Sequence, residues 1–215
     1  AHYRWWEGGT GWLIGSGEDH NYETPSSVPR YWRGDHSYRR AGHWKGYLGN
    51  ISGTLALDDV NGKTLFQWAL STSDVAGEVY ISRNDSVTWS TINCTNQTAI
   101  YTEDSVIGFS GSAADNINRT FNETTHQAIV VAGRTIASNT CRSMSTYVND
   151  SSQPIGSAYF REILFQSGTN VVYTAPIRND VNGYDNTTLV DFQAIVPDDV
   201  TNAATTYYFY VELGV

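Results

Sequence analysis

From Gly42 to Val215 the apolar residues fall in short runs of near-alternating pattern, and Gly, Asn or Asp closes almost every run. No long window keeps apolar residues at i, i+3 and i+4 without a β-branched or Gly interruption, so a helical architecture is excluded. Short runs separated by turn residues read as the strands of a sandwich or barrel. The strands predicted this way are 44–57, 64–71, 77–82, 86–92, 98–109, 126–133, 143–148, 157–166, 170–175, 187–196 and 204–213, with one short helical turn at Ala113-Ala114-Asp115. The economical fold is all-β: an antiparallel β-sandwich, jelly-roll-like or Ig-like, carrying an extended N-terminal arm.

The last strand has the most to say about packing. Tyr207, Phe209, Val211 and Leu213 share one face and Tyr208 and Tyr210 the other, so the strand is expected to be covered on both sides. Asp59-Val60-Asn61-Gly62 and Asp180-Val181-Asn182-Gly183 each precede a Thr-Leu run, which predicts two hairpins of similar design.

Residues 1–42 differ in style. They hold G-G-T-G, G-S-G and P-S-S-V-P with little alternation, which predicts a loop-rich arm with one short strand at Trp12-Leu13-Ile14. The chain is therefore divided into an aromatic, His-rich arm, 1–42, and a sandwich domain, 43–215. Net charge is −9, but residues 1–50 carry six Lys/Arg against five Asp/Glu, four of the five His and five of the seven Trp. The acidic body makes nucleic acid a poor partner, because phosphate binding needs a basic face. No apolar run approaches the roughly 20 residues of a spanning helix, which also excludes a pilin-like N-terminal helix. The single methionine, Met144, is internal, so Ala1 is read as the residue left by signal-peptide removal.

N-x-S/T occurs at Asn50, Asn84, Asn93, Asn96, Asn118, Asn122, Asn149 and Asn186. Eight sites exceed the roughly three that this composition gives by chance, so N-linked glycans on exposed turns are expected. Cys94 and Cys141 are the only cysteines. In a secreted chain such a pair reads as one disulfide; a metal site would need further ligands, and only His126 lies between them.

Candidate chemistry is sparse. Asp180, Asn182 and Asp185 resemble the start of a calcium loop, but the Gly comes too early and Asp191 falls in a strand where the closing Glu belongs. No cofactor is expected, with Ca²⁺ at these residues as the one weak candidate; Asp58, Asp59 and Asn61 form a similar turn. His20, His36 and His43 with Asp19 and Asp35 fit no compact ligand spacing. Arg33-Gly34-Asp35 is too short a match to carry weight. Gly108-x-Ser110 lacks the Gly and the helix of a nucleophile elbow. Glu78 and Glu162 are acids without a sequence signal that pairs them, and Arg161-Glu162 is read as part of a structural ion pair. Trp5, Trp6, Trp12 and Trp32, interleaved with Arg4, Arg30, Arg33, Arg39 and Arg40, have the composition of a contact surface.

Four stretches, Gly46-Tyr47-Leu48-Gly49-Asn50-Ile51-Ser52-Gly53-Thr54-Leu55-Ala56-Leu57, Phe66-Gln67-Trp68, Gly77-Glu78-Val79-Tyr80-Ile81-Ser82-Arg83, and Val87-Thr88-Trp89-Ser90-Thr91-Ile92-Asn93-Cys94, resemble secreted β-sandwich surface proteins of archaea. The resemblance implies an archaeal cell surface, makes a Cys94–Cys141 disulfide more plausible, and supplies no catalytic residue. The function expected is an extracellular glycosylated structural subunit, not an enzyme. Its partners are copies of itself in a filament, sheath or surface layer, met through Trp5, Trp6, Trp12, Leu13, Ile14 and Trp32. The alternative is a secreted module that binds carbohydrate or a surface through the Trp cluster; a secreted hydrolase using Glu78 or Glu162 ranks behind both.

Overall fold

The computed structural model describes residues 43–51, 53–58, 61, 63–70, 76–198 and 205–214. In chain order the strands are β1 Trp44–Gly49, β2 Gly53–Asp58, β3 Thr64–Leu70, β4 Ala76–Ser82, β5 Asn93–Cys94, β6 Ile129–Val131, β7 Arg134–Ile136, β8 Ser143–Ser145, β9 Arg161–Ser167, β10 Asn170–Pro176, β11 Val181–Asn182, β12 Leu189–Val190, β13 Phe192–Pro197 and β14 Tyr208–Gly214. Two helices interrupt them, α1 Gln97–Ile107 and the single turn α2 Ile117–Thr120.

A six-stranded sheet organises the molecule, in the order β14-β4-β10-β9-β5 with β8 also on β9, and every pairing is antiparallel. Period-2 alternation sends its side chains to two cores. Val79, Ile81, Leu164, Tyr173 and Phe209 go to one face, where they meet Tyr47, Phe192, Ala194 and Val196 of the antiparallel β1–β13 ribbon and Ala99, Ile100 and Ile107 of α1. Tyr80, Ile163, Phe165 and Val172 go to the other, against Val87, Trp89, Ile92 and Ile129, Val131 and Ile136 of the β6–β7 hairpin. The chain is thus an all-β antiparallel sandwich whose central sheet is covered on both sides.

The expectation for the last strand is met. Tyr207 and Phe209 are buried and Val211 and Leu213 pack on the first core. On the other face Tyr210 sits edge-on to Trp89, with ring centroids 5.1 Å apart.

Several expectations need correction. Residues 98–109 are not a strand but α1. Asn96 caps the helix by accepting from the Ala99 N–H at 2.8 Å, and Gly108 ends it in the left-handed region at φ 87°. The buried face is Ala99, Ile100, Glu103, Asp104 and Ile107, which has helical spacing. Two of those five are acids, so the apolar stripe is broken in the sequence. Glu103 can be buried there because Arg83 forks onto it, Nε to Oε1 at 2.7 Å and Nη2 to Oε2 at 2.6 Å. Residues 86–92 form no strand either, but a loop with a 3-10 turn at Trp89–Thr91. The helical turn lies at Ile117–Thr120, after Ala113-Ala114-Asp115, because Asn116 caps it through the Arg119 N–H.

The β2–β3 hairpin forms where Asp59-Val60-Asn61-Gly62 predicts one. In the second echo Asn182 is already inside β11, paired with Leu189, and the turn lies beyond it. The arm, 1–42, and the strand at Trp12-Leu13-Ile14 lie outside the described residues.

Candidate functional site

β14 pairs with β4 on one side, from Tyr208 opposite Ser82 to Gly214 opposite Ala76, and no other described strand pairs with it. It is the long edge of the sheet. The opposite edge is divided between two-residue β5 and three-residue β8, too short to template much pairing. The contact with β4 is unusually close at one point. Gly77 has φ +134°, and a Cβ there would lie 1.9 Å from the Glu212 carbonyl oxygen, so only glycine lets the two backbones approach.

One residue on, Glu78 of β4 stands directly opposite Glu212 of β14. The Tyr80 hydroxyl donates to Glu212 Oε2 at 2.8 Å, while Glu212 Oε1 is buried without a partner. Burial, and then the neighbouring Glu212, push the Glu78 carboxyl up to about 8; burial raises Glu212 as well, against the Tyr80 hydrogen bond. Two acids facing each other across the strand pair, one of them buried, disfavour carrying two charges at once.

Glu162, the other acid singled out in the sequence, sits elsewhere. Glu78 shares the face of Tyr80 and Glu162 that of Leu164, so the two carboxyls lie on opposite sides of the sheet and form no catalytic pair. Glu162 Oε2 accepts from the Ile195 N–H at 2.9 Å across the two sheets, and complete burial pushes the carboxyl well above its ordinary value. The expected ion pair exists for Arg161 alone, whose Nη1 meets Glu123 Oε2 at 2.6 Å. Adjacent residues of a strand face opposite ways, so Arg161 and Glu162 find separate partners.

Six of the eight sequon asparagines are exposed, Asn50, Asn93, Asn96, Asn122, Asn149 and Asn186, whereas Asn84 and Asn118 are half-buried. The fold brings several of them together in two groups. Gln97 beside Asn96 donates to Asn118 Oδ1 at 2.8 Å, and Arg142 beside Cys141 holds Gln97 Oε1 at 2.7 Å, which brings the sites around the start of α1 together. In the second group the Asn149 and Asn186 N–H groups both reach the Gly183 carbonyl.

Cys94 and Cys141 form the disulfide, with Cα atoms 4.9 Å apart. His126 braces it: Nε2 accepts from the Thr140 and Cys141 N–H groups at 3.0 and 2.8 Å, and Nδ1 then donates to the Gln127 carbonyl at 2.6 Å. That arrangement needs the neutral ring, and burial lowers the His126 pKa accordingly.

Of the candidate calcium residues Asp180, Asn182 and Asp185, Asp185 is occupied by its own loop. Asp185 accepts from the Thr187 and Thr188 N–H groups and the Thr188 hydroxyl, which pulls its carboxyl down to about 2. Asp191, buried, uses its two oxygens on the Ile51 and Asp180 N–H groups at 2.6 and 3.0 Å. Asn182 is exposed in β11. Among the described residues no group of three or more His, Cys, Asp or Glu is placed to hold a metal. His43 packs edge-on to Phe109, and Trp44 donates to the Asp115 carbonyl at 2.7 Å; Trp5, Trp6, Trp12, Leu13, Ile14, Trp32, His20 and His36 lie outside the described residues.

The sequence reading passed over Glu212 and Arg178. Glu212 continues the Tyr208, Tyr210 face and was legible by alternation, but its opposition to Glu78 depends on β14 pairing with β4. Arg178, at the end of β10, carried no signal.

No family model, no curated protein and no solved structure matches the chain. No helix among the described residues is long and apolar enough to cross a membrane.

Proposed function

We propose that the chain is an extracellular, glycosylated structural subunit that assembles with copies of itself into a filament, sheath or surface layer of an archaeal cell. The observation that carries the reading is the edge of β14: seven residues long, with packed side chains on both faces and one side of its backbone without a described partner strand. Such an edge is a template for another strand, and a subunit that polymerises by strand addition needs one. The β2–β3 hairpin adds to it. It pairs with no other described strand, and Leu65 and Phe66 are 80% and 55% exposed at its β3 end. A two-stranded hairpin is marginal on its own, so apolar cover from a neighbour stabilises it.

The sequons fit the same picture. Glycans at the six exposed asparagines would project into solvent. The Cys94–Cys141 disulfide suits an oxidising compartment. In this assembly the Trp-rich arm, 1–42, of one copy pairs along β14 of the next.

Electron microscopy of the native surface fraction tests the reading. The expected result is a regular polymer containing this chain, lost when residues 1–42 are deleted while the remaining body keeps its urea midpoint. A truncated chain that polymerises with the same repeat would rule out the arm, and a native chain found only as dispersed monomers would rule out the subunit role.

A further inference from the structure

Where the loop before β6, the loop before β9 and the end of β10 meet, they enclose a cavity of about 320 Å³ on the face opposite the β1–β13 ribbon. Its charges do not cancel. Arg161 is neutralised by Glu123 and also donates to the Ile155 carbonyl. His126 is neutral, with both ring nitrogens engaged by backbone groups. Arg178 remains. Its Nε donates to the Tyr159 carbonyl at 2.9 Å and its Nη2 to Gln127 Oε1 at 3.4 Å, and no described carboxylate lies within ion-pair distance. In a chain of net charge −9, this guanidinium is half-buried at the cavity wall with no anionic partner among the described residues.

We propose that this cavity binds the carboxylate of an acidic sugar, with Arg178 as the anion-recognising residue. Three features select that class. The fixed positive fork of Arg178 suits a planar carboxylate. The side-chain amides of Gln127 and Asn139 have nitrogen donors without a described protein partner, in reach of a polyhydroxylated ligand. Exposed Ile155, beside buried Pro176, supplies the apolar surface on which the C–H face of a pyranose rests. The volume stands at the lower end of ligand pockets, about 300–1,000 Å³, which fits one monosaccharide unit and exceeds what a bare inorganic anion fills. Burial lowers the Arg178 pKa with no offsetting anion, so a bound carboxylate would relieve a cost that the free protein carries. The inference is independent of polymerisation; it holds for a dispersed monomer as well.

The test is a titration of the intact glycoprotein with methyl β-glucuronide, followed by NMR at the Arg178 Nε–H and Gln127 side-chain amide signals. Methyl β-glucoside and inorganic sulfate are the comparison ligands. The expected result is saturable shifts with the glucuronide, at least tenfold weaker binding of the glucoside, and at least a tenfold loss of glucuronide affinity in Arg178→Gln. An unchanged urea midpoint shows that this variant folds, and Arg178→Lys should recover part of the affinity through its charge. No shift with the glucuronide, equal binding of the glucoside, or undiminished binding by Arg178→Gln overturns the proposal. Sulfate binding as tightly as the glucuronide overturns the sugar assignment. A uronate oligosaccharide and the protein's own released glycans, titrated side by side, then distinguish a surrounding polysaccharide from a neighbouring copy's glycan as the source.

Discussion

Replacing Glu78 by Gln should stabilise the protein, and the gain should grow with pH. The acid sits opposite Glu212 on the edge pair β4–β14, and its pKa rises from 4.5 to about 8 in the fold. Below pH 4.5 the carboxyl is protonated whether the chain is folded or not, and the pair has its full native stability. Between 4.5 and about 8 the unfolded chain loses this proton while the folded one keeps it, so the unfolded state gains and stability declines as pH rises. At 1.36 kcal/mol per pH unit the full gap is worth at most about 5 kcal/mol, and the part accumulated by pH 7 about 3 kcal/mol. Glu78 retains some solvent contact, and screening brings the value at pH 7 to about 2 kcal/mol. Gln preserves the neutral shape, and it has no proton to lose. Urea midpoints of the wild type and Glu78→Gln, measured from pH 4.5 to 9, read the titration of the Glu78–Glu212 pair, because Glu162 and His126 lie outside it and titrate in both proteins. The expected difference is near zero at pH 4.5, about 2 kcal/mol in favour of Gln at pH 7, and level above pH 8. A difference that stays flat from pH 5 to 9, or a variant less stable than the wild type at pH 7, would refute the raised Glu78 carboxyl at this edge.

Gly77→Ala should cost about 3 kcal/mol or more in urea denaturation, since the new Cβ meets the Glu212 carbonyl and the backbone holds φ +134°. A loss below about 1 kcal/mol would mean that β14 moves aside freely. Cys94→Ser with Cys141→Ser opens a loop with a sequence separation of 47, worth about 4 kcal/mol of chain entropy, and should lower Tm by roughly 8–16 °C. The His126 imidazole should titrate below 6.5 in the folded protein by NMR. Its stabilising contribution is then present above pH 6.5 and is lost as pH falls below it, when Nε2 ceases to accept the Thr140 and Cys141 N–H groups. Asn96→Ala should lose about 1 kcal/mol of cap energy in the unglycosylated protein, whereas Asn96→Asp, which also removes the sequon, should keep it.

Much of the strand plan was readable residue by residue. The runs ending at Ser82, Phe165 and Leu213 alternate, and alternation is a local property that any antiparallel sheet exploits. The segment 97–107 misled the reading because Thr98, Ile100, Thr102, Val106 and Ile107 have strand-like side chains. Asn96 caps the segment and Gly108 stops it in the fold, and Arg83 neutralises the Glu103 that the helix buries. Trp89 follows the same logic. Its run looks like a strand, but the indole is needed between Tyr80 and Tyr210, at 5.0 and 5.1 Å, and the chain bends to place it there.

By itself the sequence determined the local terms: which segments alternate, that the final strand carries apolar side chains on both faces, which asparagines stand in sequons, and that two cysteines were available to close one loop. Those follow from period, turn chemistry and composition, which need no knowledge of neighbours. Only the tertiary structure decided that Glu78 faces Glu212, that Glu162 points into the opposite core, and that no carboxylate among the described residues pairs with Arg178. Each of these is a pairing between residues distant in the chain, fixed by strand order and register, and a charge acquires its meaning from what stands opposite it.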